Sequence, residues 1–187
     1  YHPRLSQRVS WRSCAFQGLH RPAYAIMVFR KPWDRLISAF CHDSGKGIAY
    51  GVSEKYARIN KSCHDAAQRN LSTYIRNCPE ASNNVYLQHL DPINSNMNVA
   101  KERLRRTNVG LSSDMPRTIE FLSELFKTPL KMPGYLNKRE SHAACARRVD
   151  IYINDPLVQR VLKHDIELYE LAKKQAYQKK KAICTVN

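Results

Sequence analysis

The sequence predicts an α/β protein with a parallel sheet flanked by helices. Three observations carry this. Residues 23–29 read Ala-Tyr-Ala-Ile-Met-Val-Phe, a short continuous apolar run of the kind found in strands buried on both faces. Asn108 to Leu111 is a second short strand candidate, far downstream. Around both lie segments whose apolar residues recur at helical spacing, so strands alternate with helices.

The first strand stops at Arg30, and Pro32 follows where a helix opens, since its missing N–H costs nothing in a first turn. Trp33, Leu36, Ile37 and Phe40 then form an apolar stripe, so residues 23–43 read as strand, tight turn and helix. Residues 44–52, with Gly45, Gly47 and Gly51, read as a loop. Residues 53–77 read as one helix, with Ser53 as N-cap, Tyr56, Ile59, Cys63, Ala66 and Ala67 inward, and Pro79 as its stop. Residues 81–98 are Asn- and Ser-rich, a loop around a short element at 85–90. A basic helix is expected over 97–106. After the second strand, Ser113 or Asp114 caps a helix with Ile119, Leu122, Leu125 and Phe126 inward and Glu120 and Glu124 outward. Residues 128–154 are loop-rich, with Pro129, Pro133 and Gly134. The last helix is expected from Pro156 to about Lys180, burying Leu157, Val161, Ile166, Tyr169, Leu171 and Ala172.

Composition bounds the function. The chain has 187 residues, 31 Lys+Arg against 16 Asp+Glu, and a net charge of +15. An apolar fraction of 43% supports a packed core. One domain over residues 1–178 is expected, followed by a basic tail at 179–187. No stretch approaches about 18 apolar residues, the length that spans a bilayer. The charge calls for an anionic partner: nucleic acid, acidic membrane, or a sulfated or phosphorylated ligand. No zinc-finger spacing, RNP-like string or Gly-x-x-Gly loop supports nucleic acid. Six scattered cysteines, Cys14, Cys41, Cys63, Cys78, Cys145 and Cys184, contain no C-x-x-C pair, so neither a zinc ribbon nor a thioredoxin-like site is expected. An even number of them, with sequons at Asn60 and Asn70, favours the secretory pathway, their pairing left open.

The strand–turn–helix at 23–43 carries the chemistry. A buried parallel strand delivers its C-terminal end to the ligand edge of a sheet, and here that end is Arg30. The helix N-terminus beside it favours an anion. Ser38 adds a hydroxyl, and an Arg fork with a hydroxyl suits a phosphate.

The string Val28-Phe29-Arg30-Lys31-Pro32-Trp33-Asp34-Arg35-Leu36-Ile37-Ser38-Ala39-Phe40 resembles the 3′-phosphate-binding motif of the carbohydrate sulfotransferases, F-x-R-D-P-x-x-R-x-x-S-x-Y. Lys31 replaces the usual acidic residue and Phe40 the usual Tyr. Further pieces follow in order. Asn83-Asn84-Val85-Tyr86-Leu87-Gln88 resembles the family's N-x-x-x-x-Q segment, and Asn108-Val109-Gly110-Leu111-Ser112-Ser113 its V-G-L-T-E strand. Asn137-Lys138-Arg139-Glu140-Ser141 resembles the N-x-S loop that covers the nucleotide. His164-Asp165-Ile166-Glu167-Leu168-Tyr169-Glu170 is similar to the closing D-x-x-L-Y-x-x-A. The heparan- and chondroitin-modifying branch, including the uronyl 2-O-sulfotransferases, is the nearest match.

The resemblance implies a P-loop-NTPase-like sheet, the sulfotransferase fold. It also implies 3′-phosphoadenosine 5′-phosphosulfate (PAPS) as co-substrate, no metal, and a glycosaminoglycan or glycoprotein glycan as acceptor. Arg30 and Ser38 would grip the donor's 3′-phosphate, and Asn137, Lys138, Arg139 and Ser141 would contact the nucleotide. The uronyl branch places its general base, a His, upstream of the Arg-x-Pro motif; His2 in Tyr1-His2-Pro3-Arg4-Leu5 sits nearer the expected distance than His20. Arg4, Arg8, Arg12, Arg103, Arg105, Arg106, Arg147 and Arg148 would line a groove for an anionic polysaccharide. A Golgi-lumenal location follows, with a membrane anchor outside this chain; secreted and cytoplasmic locations are the alternatives. The family's 5′-phosphosulfate loop, P-K-x-G-[ST]-[ST], is missing from the 29 residues before Arg30. Ser44-Gly45-Lys46-Gly47 lacks the position and spacing to replace it and reads as surface loop. The domain is therefore expected to be incomplete at its N-terminus. A degenerate, non-catalytic domain that binds nucleotide or glycan is the alternative.

Overall fold

The computed structural model describes residues 25–45, 54–131, 145, 147, 149 and 152–178. The architecture is mostly helical around a two-stranded parallel sheet, broadly α/β. Strand β1 (Ile26–Phe29) pairs in parallel with β2 (Asn108–Leu111), from Ile26 opposite Asn108 to Phe29 opposite Leu111.

The first strand departs from the expected two-faced burial. Phe29 is fully buried, but Ile26 and Val28 are 37% and 41% exposed. Among the described residues the helices cover one face of β1 only, so alternate side chains face outward. All residues of β2 are buried.

Helix α1 (Pro32–Gly45) follows β1 after a two-residue turn. Leu36, Ile37 and Phe40 face inward, as their spacing requires. The helix runs through Ser44 and Gly45, so the first two residues of the expected glycine loop are helical. Lys46 and Gly47 lie outside the described residues.

The expected single helix at 53–77 is two, α2 (Glu54–Arg69) and α3 (Leu71–Asn77). Asn70 breaks it: its backbone is extended (φ −170°), and its Oδ1 accepts the Thr73 N–H at 2.8 Å, capping α3. The break serves the Cys63–Cys78 disulfide. A straight helix would hold those residues about 22 Å apart; here their Cα atoms are 5.6 Å apart. A second disulfide joins Cys41 to Cys145.

A short helix not expected, α4 (Pro79–Ser82), leads into the loop, and the short element expected at 85–90 is helix α5 (Val85–Leu90). Helix α6 (Met97–Arg105) then leads into β2, and a 3₁₀ turn at Ser112–Asp114 into α7 (Met115–Phe126), capped by Asp114. The buried face of α7 is rotated from the expected one. Thr118 and Phe121 are its buried residues, whereas Phe126 is 45% exposed. The Thr118 hydroxyl causes this: it accepts the Leu111 N–H and donates to the Leu111 carbonyl, both at 2.9 Å, drawing that face onto β2.

The last helix, α8 (Pro156–Gln175), stops short of Lys180. Tyr177 adopts a left-handed conformation (φ 66°), and its N–H donates to the Val109 carbonyl at 3.0 Å, turning the chain onto β2. Ile166 points outward at 37% exposure, and the adjacent Asp165 is buried in its stead. Helix α8 bridges two apolar clusters. Val158, Val161 and Leu162 pack with α1 and α3, and Leu168, Tyr169 and Ala172 pack with α5, α6 and the sheet. Asp165 lies between the two sets along α8. No described helix is long and apolar enough to cross a membrane.

Candidate anion site at the sheet edge

The parallel register ends at Phe29 and Leu111, so Arg30 and Ser112 leave the sheet at the same edge. Arg30 and Lys31 are exposed there, and Pro32 starts α1 directly after them. The positive end of a 14-residue helix therefore lies beside two cations. Asp34 in the first turn subtracts from that potential, but Arg30 and Lys31 outnumber it. Ser38, half-buried, lies one turn beyond Asp34 and Arg35 on α1. An exposed guanidinium at a helix N-terminus is suited to a phosphate or sulfate oxygen.

Residues from distant segments hold this edge in place. The Arg30 N–H donates to the Tyr86 hydroxyl at 2.9 Å, and that hydroxyl donates to the Arg30 carbonyl at 2.5 Å. The Tyr86 ring packs on Phe29, centroids 4.7 Å apart, with the Arg35 guanidinium 5.7 Å from its own centroid. Asp165 is completely buried. Its Oδ1 accepts the N–H groups of Tyr86 (2.8 Å) and Leu87 (3.3 Å), and its Oδ2 meets Arg35 Nη2 at 3.4 Å. Asp165 thus caps α5 from another helix, a role the side chain of Asn84 does not fill. Arg35 Nη1 also donates to the Ala81 carbonyl at 2.8 Å. Burial raises the Asp165 carboxyl above its ordinary range, against the pull of Arg35 and the backbone donors. Burial likewise lowers Arg35 and raises the Tyr86 phenol.

Arg30 and Ser38 thus lie on one strand–helix unit. His2, His20, Asn137, Lys138, Arg139 and Ser141 lie outside the described residues, as do Arg4, Arg8, Arg12 and Arg148. Arg103 is engaged internally: its Nη1 donates to the Leu90 carbonyl (2.7 Å) and to buried Asp91 (3.1 Å). Arg105 and Arg106 pair with Glu102 on the surface, and Arg147 is exposed.

Sequence reasoning gave no role to Arg35, Tyr86 or Asp165. Each nevertheless lies inside one of the motif strings, Arg35 in the Arg-x-Pro string, Tyr86 in 83–88 and Asp165 in 164–170. The available signal was Asp165 itself, a carboxylate on the inward stripe of the last helix. Searches of protein-family models, curated proteins and solved structures each found no match. The resemblance to the sulfotransferases therefore rests on the motifs and their order.

Proposed function

We propose that this chain carries the 3′-phosphate-binding part of a Golgi carbohydrate sulfotransferase domain with a P-loop-NTPase-like fold. The reaction is transfer of a sulfuryl group from PAPS to a hydroxyl of an anionic polysaccharide or glycoprotein glycan. What supports the reading most is Arg30. It is exposed at the C-terminal end of a parallel strand, its main chain is held by Tyr86, and it precedes the helix that carries Ser38. That is the arrangement expected of a phosphate ligand. The two disulfides among the described residues are in keeping with an oxidising lumen.

In the proposed reaction the acceptor oxygen bonds to sulfur as the bond from sulfur to the phosphate oxygen breaks. The acceptor proton passes to a base, for which His2 is the candidate, and 3′-phosphoadenosine 5′-phosphate leaves. Arg30 and Ser38 act away from the sulfur, fixing the donor through its 3′-phosphate so that the displacement is in line.

Titration with 3′-phosphoadenosine 5′-phosphate tests the site. Arg30→Ala is expected to weaken binding about tenfold or more, the worth of a charge-assisted hydrogen bond. Unchanged affinity overturns the assignment. Transfer of radiolabelled sulfate to a glycosaminoglycan panel tests turnover. Nucleotide binding with no transfer, in a protein that also carries a P-K-x-G-[ST] segment, favours the non-catalytic reading.

A further inference from the structure

We propose that Tyr86 is a positioning residue for the anion site, setting the direction of the Arg30 side chain by gripping its main chain. The inference rests on the reading of Arg30 as a phosphate ligand. The sheet ladder ends at Phe29, so Arg30 lies one residue past the last strand pair. At such a position the N–H and C=O lack ladder partners, and φ and ψ are free to vary. One hydroxyl takes both groups: it accepts the Arg30 N–H at 2.9 Å and donates its own proton to the Arg30 carbonyl at 2.5 Å. Only a side chain that both donates and accepts can do this.

The hydroxyl is itself fixed. Its ring is held by Phe29 and Arg35, and its own main-chain N–H by buried Asp165. Asp165 also holds Arg35, five residues after Arg30 on the same strand–helix unit. The turn from β1 into α1 is therefore gripped at both ends by residues of α5 and α8. A guanidinium that must meet a phosphate in a fixed fork geometry gains from a backbone set in advance.

The test is a double-mutant cycle read by calorimetry, with 3′-phosphoadenosine 5′-phosphate and adenosine 5′-phosphate as probes. Tyr86→Phe keeps the ring and removes the hydroxyl. It is expected to weaken binding of the 3′-phosphorylated nucleotide about tenfold and leave adenosine 5′-phosphate unchanged. In the Arg30→Ala background it is expected to add no further loss. Equal weakening of both nucleotides, persisting without Arg30, means a purely structural role and overturns the proposal. If Arg30→Ala weakens binding and Tyr86→Phe does not, the positioning role alone falls. If Arg30→Ala has no effect, the phosphate reading falls and takes this proposal with it. Amide exchange of Arg30 in the unmutated protein gives a second measurement that does not depend on the variant folding. Protection is expected, and exchange at the rate of an unstructured peptide overturns the grip.

Discussion

Asp165 is the residue on which the two halves of the molecule depend, and it is buried under conditions that disfavour its charge. Burial raises its carboxyl and lowers Arg35, so desolvation outweighs the attraction between them. Both shifts favour the neutral forms, and the contact between the two groups is not short (3.4 Å). Removing one partner is still costly. Asp165→Ala leaves Arg35 without its carboxylate and the Tyr86 and Leu87 N–H groups without an acceptor. We expect a loss of about 3–5 kcal/mol by denaturant unfolding. Asp165→Asn keeps an acceptor oxygen and is expected to lose much less.

The raised carboxyl also predicts a pH dependence. In the unfolded chain Asp165 releases its proton near its ordinary value of 3.8, while the folded protein retains it to higher pH. The folded state therefore binds more protons in that window, and this residue's contribution to stability declines as pH rises through it. The difference in unfolding midpoint between the parent protein and Asp165→Asn is expected to shift against the parent from about pH 4 upward. A difference constant over that range contradicts the assignment.

At the scale of elements, close packing between α7 and β2 is the sharpest constraint. A Cβ on Gly110 would overlap the Thr118 side chain, whose hydroxyl holds both main-chain groups of Leu111. Gly110→Ala is expected to cost about 1–3 kcal/mol, the usual range for overpacking, measured by chemical denaturation. The Asn70 cap is worth about 1 kcal/mol, so Asn70→Ala should lower stability by that amount and leave nucleotide affinity unchanged.

The same elements show what was legible in the sequence. β2, the start of α1 and the start of α8 follow from local patterns: a short apolar run, and Pro at the first helical position. The break at Asn70 was hidden because helical periodicity continues across it, and only the Cys63–Cys78 link demands that the chain fold back. The inward turn of Asp165 was legible only in its spacing from Val161 and Tyr169, and its role was not, because its partners Arg35 and Tyr86 lie far away in sequence. Arg30 and Ser38 were legible as a local string. What fixes Arg30 was not, because a tyrosine on α5 makes that contact across the fold.

At the scale of the whole molecule, two disulfides of very different span among the described residues tie the helices together. Cys63–Cys78 closes a segment of 15 residues and Cys41–Cys145 one of 104. Loop-closure entropy assigns them about 3 and about 5 kcal/mol respectively. Replacing Cys41 and Cys145 by Ser is therefore expected to lower the thermal midpoint more than replacing Cys63 and Cys78. The reverse order would show that local packing, not chain entropy, dominates.

The net charge of +15 also resolves into parts. Arg35 and Arg103 support the interior, Arg105 and Arg106 pair with Glu102, and Arg30 and Lys31 stand exposed at the sheet edge. On the proposed reading this edge binds a 3′-phosphate. The direct measurement compares the affinity of the protein for 3′-phosphoadenosine 5′-phosphate with that for adenosine 5′-phosphate, which differ in that group alone. Tighter binding of the 3′-phosphorylated nucleotide, by about tenfold or more, is the expected result. Equal affinity for the two contradicts it.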